Sequence, residues 1–299
     1  MGDTMDSIAR SLLGITLIIF MVGSLLEVGL RLRPGEAFGA ICNPTFLSLS
    51  VLWGFVLCPA LAVALTRIVP LSEPYALGMI FLGMTPCAPF FPAMAENAGG
   101  DLAYAAAFLI VAVAGTVIFM PVATPLLLPG FEADPWTIAK PLVLYIAIPL
   151  VFGASMGFQA PAFASVAHPI VKRATLIDTA IMLALVLWIY GAEFLRAVGT
   201  YAIGTQLLFY TIVAAGAYGS AFRLPHSQRS VLALGTCTRN IGAAFAPLIA
   251  VPGTEPEAVA MVALAVPLTV LFAALSARGL ARLAPMDDKS PAGWKLGGP

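Results

Sequence analysis

Nine apolar runs, each about as long as a lipid bilayer is thick, follow one another along this chain with only short turn-forming segments between them. A helix needs ~20 residues to cross a hydrocarbon core of ~30 Å. The runs fall at roughly 10–31, 44–66, 75–98, 101–128, 137–158, 173–195, 198–221, 228–250 and 255–282. With 60% hydrophobic and 10% charged residues among 299, and a mean hydropathy of +0.97, there is too little polar surface to clothe a water-soluble globule of this size. Inside lipid every backbone polar group must find its partner within the protein, and helices achieve this segment by segment. The expected fold is an all-α polytopic membrane protein with nine transmembrane helices in one domain over residues 1–284.

Turn chemistry marks the boundaries: Arg33-Pro-Gly, Pro70-Leu-Ser-Glu-Pro74, Pro129-Gly-Phe-Glu-Ala-Asp-Pro135, Gln159-Ala-Pro161, Arg223-Leu-Pro225 and Val251-Pro-Gly253. The polar stretch 285–299 reads as a disordered C-terminal tail. The first run is longer than a signal peptide's apolar core and lacks a small-residue cleavage site, so it is expected to be retained. Lys and Arg are scattered singly and the formal net charge is zero, which excludes a nucleic-acid-binding stripe. Cys42, Cys58, Cys87 and Cys237 lie in or beside apolar runs and read as small buried hydrophobes. His168 and His226 are expected to stand alone in loops. No nucleophile with its base and no metal-ligand spacing stands out, so neither an enzyme nor a cofactor or metal site is expected.

Two of the runs are interrupted. In the third, Pro86, Pro89 and Pro92 each remove a backbone donor, and three prolines in seven residues do not fit a regular helix. The eighth is softened at Gly235 and Gly242, stops near Pro247, and carries Thr236, Thr238, Arg239 and Asn240 at its middle. Paired breaks at corresponding places in two halves are the sequence mark of a secondary carrier's binding site. They also suggest a repeat offset by five helices, which inverts the second copy, spans one to four pairing with six to nine. An Arg at bilayer depth costs at least ~2.5 kcal/mol on insertion scales, so Arg239 is expected to avoid lipid. It reads either as half of a structural ion pair or as a fixed charge for an anion, to which it would offer a planar bidentate fork.

The residues Arg31-Leu-Arg-Pro, Gly83 and Pro86 leading to Ala98-Gly-Gly-Asp101, and Gly235-Thr-Cys-Thr-Arg-Asn-Ile-Gly242 together resemble the bile acid:sodium symporter family, over roughly residues 12–283. The resemblance implies an inverted repeat of ten helices, or nine where the first is missing, with two broken helices crossing beside the substrate. It implies a panel of helices near 10–31, 137–158 and 173–195, and a core from 44–128 and 198–282. The chain departs from the pattern where sodium-coupled members bind their ion. Their Ser-Asn pair falls on Phe91 and Pro92, hydroxyls of the next helix on Ala105 and Leu109, and Glu-x-x-x-Gln-Asn on Gly235, Arg239 and Asn240. Only Asn240 and the Gly100-Asp101 turn remain. Sodium coupling at those positions is not expected.

The reading is a secondary active transporter that moves a small organic anion by alternating access in an inner or plasma membrane. Its expected substrate residues are Arg239, Asn240, Thr236, Thr238, Pro86, Cys87 and Pro89. Glu96, expected in the first turn of the second half-helix, is a candidate proton site or the ion-pair partner of Arg239. Pro86-Cys87 also resembles arsenite-efflux carriers, so a metalloid carrier is one alternative, and a membrane sensor or scaffold that transports nothing is another. Asp178 and Glu27 are expected near the cytoplasmic ends of their spans.

If the first loop is cytoplasmic, that side collects Arg31, Arg33, Lys172, Arg173, Arg223 and Arg229, with Arg278, Arg282, Lys289 and Lys295 at the C-terminal end. The other side holds only Arg10, Arg67, Lys140 and Arg196. The asymmetry predicts an outside N-terminus and a cytoplasmic C-terminus. Reporter fusions after Pro34, Pro74 and Pro285 should then read inside, outside and inside, and matching readings at Pro34 and Pro74 would refute the span count.

Overall fold

A computed structural model describes residues 2–32, 34–131, 133–251 and 253–284, and the expected tail over 285–299 lies outside them. The described residues form twelve helices: α1 (Gly2–Arg31), α2 (Pro34–Ile41), α3 (Pro44–Ile68), α4 (Glu73–Met84), α5 (Phe91–Asn97), α6 (Leu102–Leu127), α7 (Pro135–Gln159), α8 (Pro161–Ala197), α9 (Ala202–Ser220), α10 (His226–Cys237), α11 (Ile241–Ala250) and α12 (Pro256–Leu283). Seven of them (α1, α3, α6, α7, α8, α9 and α12) are long and apolar enough to cross a membrane. The expected spans 75–98 and 228–250 are each two shorter helices, α4 with α5 and α10 with α11.

Local chemistry accounts for most of these elements. Asn43 caps α3 by accepting from the N–H groups of Thr45 and Phe46 at 3.1 and 3.2 Å, and Asp101 caps α6 through Ala103 and Tyr104. The two capped starts are tied together, since Asn43 Nδ2 donates to the Tyr104 hydroxyl at 3.1 Å. Helices α3 and α7 each widen into a π-turn, Trp53–Leu57 and Val143–Ala147, just ahead of Pro59 and Pro149. A proline ring clashes with the carbonyl four residues back, and the extra residue in the turn makes room for it.

Two expectations are corrected here. The expected loop before the sixth span is helical, because Pro161 opens α8 at its first turn and the helix runs 37 residues, roughly 55 Å at about 1.5 Å per residue. Asp178 therefore lies midway along α8, buried, and not near an end. Neither histidine is in a loop. His168 lies on α8 with Nε2 3.6 Å from Glu27 of α1, and His226 begins α10 between the Tyr218 hydroxyl at 2.9 Å and the Ser230 hydroxyl at 3.1 Å.

Helix α1 packs along α7 and α8, while α4 lies against α3 and α12, and α10 between α9 and α6. The outer surface carries many large apolar side chains, among them Ile118, Leu126, Val151, Ile177, Trp188 and Leu271. Such a surface suits hydrocarbon rather than water. Helices α3 and α4 meet at Gly83, where an added Cβ would come within 2.5 Å of the Ala62 Cβ. Gly83→Ala should therefore lower stability by about 1–3 kcal/mol, the usual penalty for overpacking. Gly14→Ala, at a position with open space around it, should leave the melting temperature unchanged or slightly raised. Thermal unfolding of the two purified variants checks the contrast.

Candidate functional site at the crossing of two broken helices

The prolines of the first break dictate which carbonyls lose their partners. Pro86 has no N–H for the Leu82 carbonyl four residues earlier, and Pro89 has none for that of Thr85. Cys87, at φ +74°, turns its N–H away from the Gly83 carbonyl and donates it instead to Thr238 of the second break at 2.9 Å. The second break answers in kind. The Asn240 N–H, which in an unbroken helix would bond to Thr236, donates to the Thr85 carbonyl at 2.9 Å. Pro86 and Arg239 thus form an isolated antiparallel bridge that joins the two interruptions.

Three further carbonyls, those of Leu82 and Gly83 in the last turn of α4 and of Thr236 in the last turn of α10, accept from Arg239, and that of Leu82 also accepts from the Thr85 N–H and hydroxyl, each at 3.3 Å. Arg239 Nη1 donates to Leu82 and Gly83 at 3.4 and 3.3 Å, and its Nη2 to Thr236 and to the Cys58 sulfur at 3.1 Å. The guanidinium carbon sits 5.0 Å from the centroid of the Phe209 ring. Arg239 is wholly buried, 0% exposed. Among the described residues its contacts are carbonyls, a thiol and a ring, with no carboxylate.

The other expected residues lie in the same knot. Thr236, Thr238, Pro86, Cys87 and Pro89 are buried, and Asn240 is 4% exposed. Both threonine hydroxyls donate to carbonyls of their own helix, Thr236 to Leu232 and Thr238 to Leu234. Asn240 Oδ1 caps α11 by accepting from Ala243 at 3.1 Å. Just beyond it Met21 of α1 lies against Gly242, so the second break faces α1.

Two expectations about the site are corrected. Glu96 is exposed on the last turn of α5, since that half-helix begins at Phe91, and it does not pair with the buried Arg239. The guanidinium fork is not open to a carboxylate, because both terminal nitrogens face protein acceptors. Only the Nε–H is left, buried and without a hydrogen-bond partner among the described residues. Cys87 donates weakly to the Ala88 carbonyl, and no group of three His, Cys, Asp or Glu among the described residues is arranged to hold a metal ion.

The positions expected to lack sodium ligands are filled by rings. Phe91 is 0% exposed and stacks edge-on with Phe108 at 5.7 Å, and Phe108 meets Phe46 at 6.5 Å. Ala105 and Leu109 are buried beside them. A Cβ on Gly235 would lie 2.6 Å from the Phe108 ring, which leaves no room there for an acidic side chain. These residues do not fit a sodium ion. Sequence reasoning missed Cys58 and Phe209, which come from α3 and α9 and carry no local mark of a site.

A family model described as the Sodium Bile acid symporter family matches residues 15–197, from within α1 to the end of α8. The matched stretch contains the first break, whereas Arg239 and the second break lie beyond it. No curated protein compared with the chain matches it. Since the match takes in more than half of the 299 residues, the chain belongs to the sodium bile acid symporter family, whose members are transporters and not enzymes.

Proposed function

We propose that the protein is a secondary active carrier that moves a small organic anion by alternating access, without sodium at the positions filled by Phe91, Pro92, Ala105, Leu109 and Gly235. The observation that carries the reading is the closure of two interrupted helices on each other around a buried cation with no carboxylate in contact. An interruption at membrane depth is tolerated only where protein or a cavity satisfies it, and such a joint can open and reclose as two bodies move. In this reading the chain crosses the membrane nine times, with the N-terminus outside and the C-terminus cytoplasmic. Helices α1, α7 and α8 form the panel, the rest form the core, and the two halves of the chain are inverted copies.

Charge favours an anion. The half-negative ends of α4 and α10 and the half-positive starts of α5 and α11 offset one another, which leaves the guanidinium as the net positive charge of the crossing. Arg239 acts on the substrate through its field, since its terminal nitrogens are engaged within the protein. Asn240, at the head of α11 and 4% exposed, is the residue best placed for orienting a carboxylate or sulfonate, with the fully buried Thr236 and Thr238 beside it in sequence. Cys87, Pro86 and Pro89 shape the opposite wall. A proton gradient or exchange against another anion is the drive that fits this residue set, and exposed Glu96 is a candidate proton carrier.

Two measurements test this. A thermal-shift screen of organic anions on the solubilised protein should find a stabilising ligand, and proteoliposomes should accumulate it at an unchanged rate when choline replaces sodium. Steep, saturable sodium dependence would overturn the sodium-free part, and binding without uptake would favour a sensor. Asn240→Asp keeps the helix cap but adds a negative charge beside the substrate, so anion affinity should fall at least about tenfold with the fold intact. Unchanged affinity in that variant would remove Asn240 from the site.

A further inference from the structure

We infer that the crossing is a cage for a monovalent cation and that Arg239 is its permanent, covalently tethered occupant. The cage is defined by what the breaks leave behind. The carbonyls of Leu82, Gly83 and Thr236 converge on the guanidinium where Pro86 lacks a donor and the N–H groups of Cys87 and Asn240 are spent on the opposite break, with Thr85 sharing the Leu82 carbonyl. Two helices, α4 and α10, end there. Each C-terminus carries roughly half a negative charge. The Cys58 sulfur at 3.1 Å and the Phe209 face at 5.0 Å complete the walls. Both are soft partners of a kind suited to a cation that donates hydrogen bonds and lies over a ring. A hard inorganic ion prefers oxygen on all sides.

The guanidinium thus donates to three carbonyls at the ends of two helices. A chain of this fold without Arg239 would have to recruit a cation from solution to close the same joint. The cage stands on geometry alone. Its consequence for transport, that the counter-ion travels with the protein and is never exchanged, rests on the carrier reading.

The test needs no anion, so its failure is distinct from failure of that reading. Melting temperatures are measured on purified protein in N-methylglucamine chloride at constant ionic strength. The parent chain should be indifferent to added sodium, potassium and millimolar guanidinium. Arg239→Ala should melt roughly 5–10 °C lower. It should regain at least half of that loss, saturably, with guanidinium or methylguanidinium, at concentrations where urea has no effect. A saturable sodium-dependent rise in the parent, or an Arg239→Ala variant indifferent to every cation, overturns the proposal. Should Arg239→Ala not yield folded protein, Arg239→Lys and Arg239→Met decide. The lysine variant should melt clearly above the methionine variant, since it keeps a charge for the cage, and equal melting temperatures would overturn the idea.

Discussion

A broken helix inside a membrane has unpaired carbonyls and no water to satisfy them. The structure of this protein turns on how that debt is met. The breaks exchange backbone N–H groups, Cys87 and Ala88 to Thr238 and Asn240 to Thr85. Arg239 adds donors to the carbonyls of Leu82, Gly83 and Thr236. The interactions are mutually dependent, because removing either break would strand the acceptors of the other. The surrounding helices are arranged around this knot. The Cys58 sulfur comes from the helix that also packs at Gly83, and the Phe209 face comes from α9.

The residues packed beside the knot differ from those that the family resemblance places there. Where sodium-coupled members are expected to place oxygens, the structure has the Phe46, Phe91 and Phe108 rings, with Gly235 pressed against the last of them. Buried Phe91 and the rings beside it fill that volume. The positive charge at the crossing is that of Arg239, held in place by the protein groups that engage its terminal nitrogens.

Much of the fold was legible from the sequence, since the rules involved are local. Apolar run length marks the seven long helices, and the triple proline of residues 86–92 marks a break, wherever the chain goes next. Boundaries were less legible. Helix α8 begins at Pro161 and not near 173, as its polar first turns, with His168 and Lys172, read as loop. That misplacement also put Asp178 near a span's end, whereas it is buried midway along the helix. Glu96 was assigned to a first turn because the start of α5 could not be fixed from three prolines alone, and the half-helix starts at Phe91.

What the sequence by itself determined is that the chain belongs in a bilayer, that two of its apolar runs are interrupted, and that Arg239 and Asn240 sit at the second interruption. Composition, run length and missing proline donors decide these without reference to any distant residue. What only the tertiary structure decided is the company Arg239 keeps. Its partners lie 156, 157 and 181 positions away, at Gly83, Leu82 and Cys58. Two of those contacts are with backbone carbonyls, which every residue has and no sequence pattern can flag. A side chain's charge is written in its sequence, but the groups that neutralise it are fixed only when separate helices meet, and here they met as carbonyls and not as the carboxylate of Glu96.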